Sequence, residues 1–161
     1  MRTANRNKRT IYYCLYRDKA ELTDEWGNAS GEFAPTYDNA LSMSANVSPA
    51  TGNSQTEQFG NLDDYDKVIV TSWMDCPIDE NTVLFIDKNP EYATVTVVVP
   101  TQTTNDSEEE TDNETDDSEE EQEEPEPVTM TISTPVYDYR VRRVAKSLNH
   151  ISIAVSKVKV S

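Results

Sequence analysis

The stretch from Asn105 to Pro127 constrains this chain more than any other part of it, because it carries 14 carboxylates and no lysine or arginine. From Thr101 to Pro127 there is also no aromatic and no aliphatic residue. Like charges at this density repel one another. With no apolar surface to bury, nothing offsets the entropy of ordering, so the segment is expected to be disordered. The whole chain has 161 residues and a net charge of −16, yet setting those carboxylates aside leaves 16 acidic against 14 basic residues, or −2. The low pI therefore belongs to one segment, and a basic partner does not follow from it.

The flanks of the tract say where it was inserted. Thr94 to Val99 (TVTVVV) and Val128 to Ser133 (VTMTIS) are both strongly β-forming. Two such runs around a charged stretch read as a hairpin whose loop has been expanded, which a fold tolerates because loop-closure entropy grows only logarithmically with length. Residues 1–100 and 128–161 are accordingly expected to form a single β-barrel domain, with 101–127 as a disordered acidic insert.

The rest of the chain reads as short strands. Thr10 to Tyr16 (TIYYCLY) is aromatic and β-branched. Thr23 to Gly31 is a turn region, and Glu32 to Tyr37 returns as a strand whose Pro35 favours an edge. Ala40 to Val47 alternates, with Leu41, Met43, Ala45 and Val47 on one face and Ser42, Ser44 and Asn46 on the other. Asp66 to Ser72 and Thr82 to Asp87 are short apolar runs joined by a turn at Cys76 to Asn81. Tyr137 to Ala145 and Ile151 to Val160 close the chain, linked at Ser147 to His150. No window carries apolar residues at helical spacing over three turns. Eight or so short strands predict an all-β fold, a small barrel or sandwich with a long central loop from Ser48 to Asp64.

Catalytic constellations are missing. The single histidine, His150, sits in a turn beside Asn149, and there is no glycine-rich nucleophile elbow or phosphate loop. The acidic pairs Asp63–Asp64 and Asp79–Glu80 lie in polar loops, where carboxylates are ordinarily solvated. Cys14 and Cys76 are far apart and remote from His150 in sequence, a poor basis for a zinc site. Counting alone leaves a disulfide open, while two reduced thiols suit a cytosolic chain. The acidic insert lacks the residue order of a calcium loop. Neither an enzyme nor a metal or other cofactor is expected. The basic N-terminus has no apolar run behind it, and no segment is long and apolar enough to cross a bilayer, so the reading is of a soluble protein made in the cytoplasm with no membrane partner.

The positive charge is better organised. Arg2, Arg6, Lys8, Arg9 and Arg17 crowd the start, and Arg140, Arg142, Arg143, Lys146, Lys157 and Lys159 crowd the last two strands. If the first and last strands pair, these make one basic face. With Tyr12, Tyr13, Tyr137 and Tyr139 nearby, such a face suits either stacking on single-stranded nucleic acid or a subunit interface.

Three blocks, taken in order, carry a resemblance: "MRTANRNKRTIYYCLY", then "NVSPATGNSQTEQFGNLDDYDKVIVTSWMDCPIDENTVLFID", then "YDYRVRRVAKSLNHISIAVSKV". Together they resemble the head-closure proteins of tailed bacteriophages of Gram-positive bacteria, also called stoppers or head–tail connector proteins; the acidic insert departs from that pattern. The resemblance implies a homo-oligomeric ring at the head–tail interface of the virion. Its neighbours would be a portal or adaptor protein above and a tail terminator or tail tube protein below. Packaged double-stranded DNA would lie close by, and the ring would close the channel after packaging. It further implies a barrel that projects a long loop into that channel, for which the candidates are Thr51, Gly52, Asn53, Phe59 and Gly60. Candidates for the basic interface are Arg6, Lys8, Arg9, Tyr12, Tyr137, Tyr139, Arg140, Arg142, Arg143 and Lys146. The alternatives are a single-stranded nucleic-acid-binding small barrel, or a tail terminator or other neck component.

Overall fold

The computed structural model describes residues 7–50, 59, 65–99 and 128–158. Ten strands occur among them: β1 (Lys8–Cys14), β2 (Tyr16–Thr23), β3 (Ala29–Tyr37), β4 (Leu41–Pro49), β5 (Lys67–Thr71), β6 (Val83–Phe85), β7 (Tyr92–Val99), β8 (Val128–Pro135), β9 (Tyr139–Lys146) and β10 (Ile151–Lys157). The fold is all-β, and its centre is a closed six-stranded barrel in the order β1-β4-β5-β10-β9-β6. Every neighbouring pair of the barrel runs antiparallel. Closure removes the unpaired edges that would otherwise invite association.

Contacts divide the chain into two compact units, one of residues 1–19, 35–94 and 133–161, the other of residues 20–34 and 95–132. The first contains the barrel. Its interior is filled by the inward faces of all six strands, with Ile11, Tyr13, Met43, Ala45, Ile69, Leu84, Tyr139, Val141, Ile151, Ile153 and Val155 in one buried cluster. The period-two pattern of β4 is realised by Met43 and Ala45, which are buried, while Leu41 at the strand's start is 49% exposed. Cys76 and Ile78 from the β5–β6 connection enter the same cluster, so that loop covers one barrel end. Its turn is fixed by Asp79, whose Oδ1 accepts from the Asn81 amide at 3.0 Å and from the Thr82 hydroxyl at 2.8 Å.

The outside of the barrel is apolar in two places. Phe59 and Tyr65 pack with Val68 of β5 and Ala154 of β10. On another side, Val83 and Phe85 of β6 pack with Cys14, Tyr12, Tyr37, Ala40 and Tyr137. Burial, and then the Tyr137 ring beside it, push the Tyr37 hydroxyl up to about 12. Both cysteines are buried and unbridged.

The second unit holds the β2–β3 hairpin and the adjoining parts of β7 and β8, strands of a sheet ordered β3-β2-β7-β8. Glu21 and Leu22 pair with Val98 and Val97. Strands β7 and β8 are neighbours, as a hairpin expanded by an insert requires; residues 101–127 themselves lie outside the described residues. Pro35 lies in β3, which is an edge strand.

Two expectations are corrected. The first and last barrel strands do not pair: β1 lies between β4 and β6, and β10 between β5 and β9. A third of the way along the chain, β4 and β5 occupy the place beside β1 and β10 that a simple closure would have filled. Residues 17–22, for which no element was expected, belong to β2, and Tyr16 and Thr23 join them there.

Candidate functional site

The register of the barrel brings the start of β5 and β9 to the same end as the exit of β6 (Pro49 opposite Lys67, Lys157 opposite Tyr139, Leu84 opposite Tyr139). There Asp87 gathers three groups. Lys67 Nζ reaches its two carboxylate oxygens at 2.6 and 2.7 Å, the Tyr139 hydroxyl donates to Oδ2 at 2.8 Å, and Arg9 lies 3.4 Å from Oδ1. The Lys67 ammonium also sits over the Tyr139 ring, 4.7 Å from its centre. The backbone feeding this cluster is pinned by Asp138, whose carboxylate accepts from the Ile86 and Asp87 amides at 3.0 and 2.8 Å.

Partial burial works to raise the Asp87 carboxyl, but the Lys67 ammonium, the Tyr139 hydroxyl and Arg9 outweigh it and hold the group below its usual range. Burial works to lower Lys67, and its contacts with Asp87 and Tyr139 carry it above its usual value instead. The lysine is thus a fixed cation with its proton held, unsuited to act as a nucleophile. The cluster closes the barrel end with charge.

Replacing Asp87 by alanine is expected to cost about 1–2 kcal/mol, discounted because its side chain is 41% exposed and screened by solvent. The loss comes from leaving the Lys67 ammonium and the buried Tyr139 hydroxyl without this acceptor. The sign follows from the two shifts. A depressed carboxyl stabilises the fold above its unfolded pKa and loses that contribution as pH falls through the folded value; a raised lysine stabilises below its unfolded pKa and loses the contribution as pH rises through the folded value. The wild-type advantage in melting temperature should therefore be flat from about pH 5 to pH 9 and shrink on both sides.

At this same end the chain leaves and re-enters the barrel for the long central loop. Pro49 is paired with Lys67, and the Ala50 amide donates to the Asp66 carbonyl at 3.0 Å. The segment between them therefore begins and ends at one point. Of the loop candidates, Thr51, Gly52, Asn53 and Gly60 lie outside the described residues. Phe59 is buried, edge-on to Tyr65 with ring centres 5.6 Å apart, and its carbonyl accepts from Arg143 Nη1 at 3.1 Å. Phe59 and Tyr65 anchor the returning limb of the loop to the outside of β5, β10 and β9.

The basic candidates separate. Arg6 lies outside the described residues. Lys8 and Arg9 stand on β1, and Arg140, Arg142, Arg143 and Lys146 on β9, with β6 between the two strands. Arg142 sits where the β9–β10 register shifts, and its Nε donates to Ser156 Oγ at 2.7 Å. From Tyr139 to Lys157 the hairpin carries five basic residues and no acidic one. The tyrosines are less available than their sequence positions suggest. Tyr13 and Tyr139 are buried in the barrel interior, and Tyr12 and Tyr137 are half-buried in the outer cluster around Phe85.

The residues that sequence reasoning missed are Lys67, Asp87 and Asp138. They come from three separate strand ends, and nothing in their spacing marks them as partners. Among the described residues, no group of three or more histidine, cysteine, aspartate or glutamate side chains is arranged to hold a metal ion. In comparisons with known proteins, no family model, no curated protein and no solved structure matches this chain.

Proposed function

We propose that this chain is a structural component of the head–tail joint of a tailed bacteriophage, a head-closure or stopper protein that acts through contact and not through catalysis. The observation that carries the reading is that the chain leaves a closed barrel after Ala50 and re-enters it at Asp66, two residues hydrogen-bonded to each other. A closed barrel whose loop is tethered at both ends can hold its place in an assembly while the loop enters a channel. The three sequence blocks that resemble stoppers supply the context: copies form a ring below the portal and its adaptor and above the tail, and the ring retains packaged DNA. The burial of Tyr13 and Tyr139 argues against the single-strand-binding alternative, which needs exposed rings for bases to stack on.

Native mass spectrometry of the purified chain, over a concentration range reaching about 100 µM, tests the reading. The expected result is a closed homo-oligomer of one size, as cyclic symmetry demands. A chain that stays monomeric throughout would sink it.

A further inference from the structure

The β2–β3 hairpin tip is built around Asp24. Its Oδ1 accepts from the Trp26 and Asn28 amides at 2.9 and 2.8 Å, its own amide donates to the Asn28 carbonyl at 2.8 Å, and its carbonyl accepts from the Gly27 amide at 3.2 Å. Gly27 takes a φ of 84°, which a side chain would resist. Behind the tip, Gly31 has a φ of 76° and its amide donates to Glu21 at 3.0 Å. On this fixed turn Trp26 is 85% exposed, and Phe33 further along β3 is 62% exposed. A large aromatic presented on a turn with this many internal hydrogen bonds is preorganised: little conformational freedom remains to be lost when it is buried by a partner.

The tip also carries charge of one sign only. Residues 20–34 contain four carboxylates (Glu21, Asp24, Glu25 and Glu32) and no lysine or arginine. The backbone amide of Asn28, opposed by slight burial and aided by further turn amides, holds Asp24 below the usual carboxylate range. The β9–β10 hairpin is its counterpart, with Arg140, Arg142, Arg143, Lys146 and Lys157 and no acidic residue between Tyr139 and Lys157. The Arg142 side chain is exposed yet oriented by its bond to Ser156. A guanidinium fixed in this way offers a flat face to an indole, and tryptophan and arginine are the residues that dominate interface energetics.

We infer that the Trp26 tip of one copy docks on the basic β9–β10 face of the next, centred on Arg142, and that this is the contact between neighbours in the ring. The inference rests on the ring reading above. The two patches differ, so the contact is heterologous, the type from which closed rings are built. Like tips repel like tips and like faces repel like faces, which selects the head-to-tail pairing over a two-fold dimer.

The experiment uses the full chain and two exposed substitutions, Trp26→Ala and Arg142→Glu, with melting curves to establish that both variants fold. Each variant alone is expected to self-associate at least tenfold more weakly than wild type. Mixed together they should form a heterodimer that stops at two chains, because the intact tip of the Arg142→Glu chain meets the intact face of the Trp26→Ala chain. Sedimentation velocity reads both results. If the wild type forms a ring and Trp26→Ala forms it equally well, or if the mixture gives no heterodimer, this pairing is overturned while the ring reading stands. A wild type that never associates overturns both.

Discussion

Removing Thr51 to Gln58 should leave the barrel folded, with its melting temperature nearly unchanged, while particles assembled with the shortened chain lose their packaged DNA. The first half of this result is dictated by the local geometry. Pro49 and Lys67 are already paired, and Ala50 is already hydrogen-bonded to Asp66, so the strand ends do not depend on the loop to hold them together. Phe59 and Tyr65, which pack against the barrel's outer face with Ala50 at the margin of the same cluster, are retained. Deleting eight of the 14 residues from 51 to 64 shortens the closure a little more than twofold, which changes its entropy by under about 1 kcal/mol. The second half tests the channel role of the loop. DNA-filled heads should fall by an order of magnitude or more relative to wild type, measured by the ratio of nuclease-resistant DNA to capsid protein. Particles that keep their DNA would remove the loop from channel closure, whatever the protein's position in the virion.

The sequence made some of this legible and hid the rest, for physical reasons that can be named. Strands β4 and β10 are readable because each is buried on a face: Met43 and Ala45 alternate with serines, and Ile151, Ile153 and Val155 alternate with small residues. Even there, the small residues of β10 are misleading. Ser152, Ala154 and Ser156 are small or polar and alternate with the apolar face, yet all three are buried. Around Ala154 the cover is Phe59 and Tyr65, which return from a loop that sequence alone cannot place. Strand β2 escapes because Arg17, Asp18 and Lys19 are exposed on consecutive positions, leaving no alternation to detect; its existence depends on backbone partners in β3 and β7. The pairing of first and last strands fails for a related reason. Barrel order is a property of the whole topology, and β1 and β10 each satisfy their hydrogen bonds with two other strands. The Lys67–Asp87–Tyr139 cluster joins residues separated by 20 and 52 positions, and no local pattern announces such a contact. The basic strand β9, by contrast, was visible at once, because charge on a strand's outer face needs no partner to be recognised.

Phe85→Ala should be the most destabilising single truncation outside the barrel interior, costing about 3–5 kcal/mol. Strand β6 has three residues, and its pleat divides their work: Leu84 enters the barrel interior, while Val83 and Phe85 face outward. An outward residue of a small barrel would ordinarily tolerate truncation. Phe85 is instead fully buried, packed with Cys14, Val83, Tyr12, Tyr37, Ala40 and Tyr137, and the Lys88 ammonium lies 6.0 Å from its ring centre. Tyr37 stands edge-on to both Tyr16 and Tyr137, at 6.2 and 6.1 Å between ring centres. This arrangement fixes the rings, so they cannot collapse into the space a phenyl group leaves, and the cavity term is felt in full. A loss of that size is a large part of the total stability of a domain, and for a chain of this length it should lower the melting temperature by about 6–20 °C. Urea unfolding should show a lower midpoint with an unchanged slope, the mark of lost stability without a change in the surface exposed. Leu41→Ala supplies the contrast: Leu41 is equally apolar and lies in a barrel strand, but it is 49% exposed and should cost no more than about 1 kcal/mol. If the two substitutions cost the same, the outer tyrosine cluster is only surface decoration. If Phe85 costs several times more, the barrel wall is supported from both sides, and the end from which the long loop departs is held by an outer core as well as by the Asp87 network.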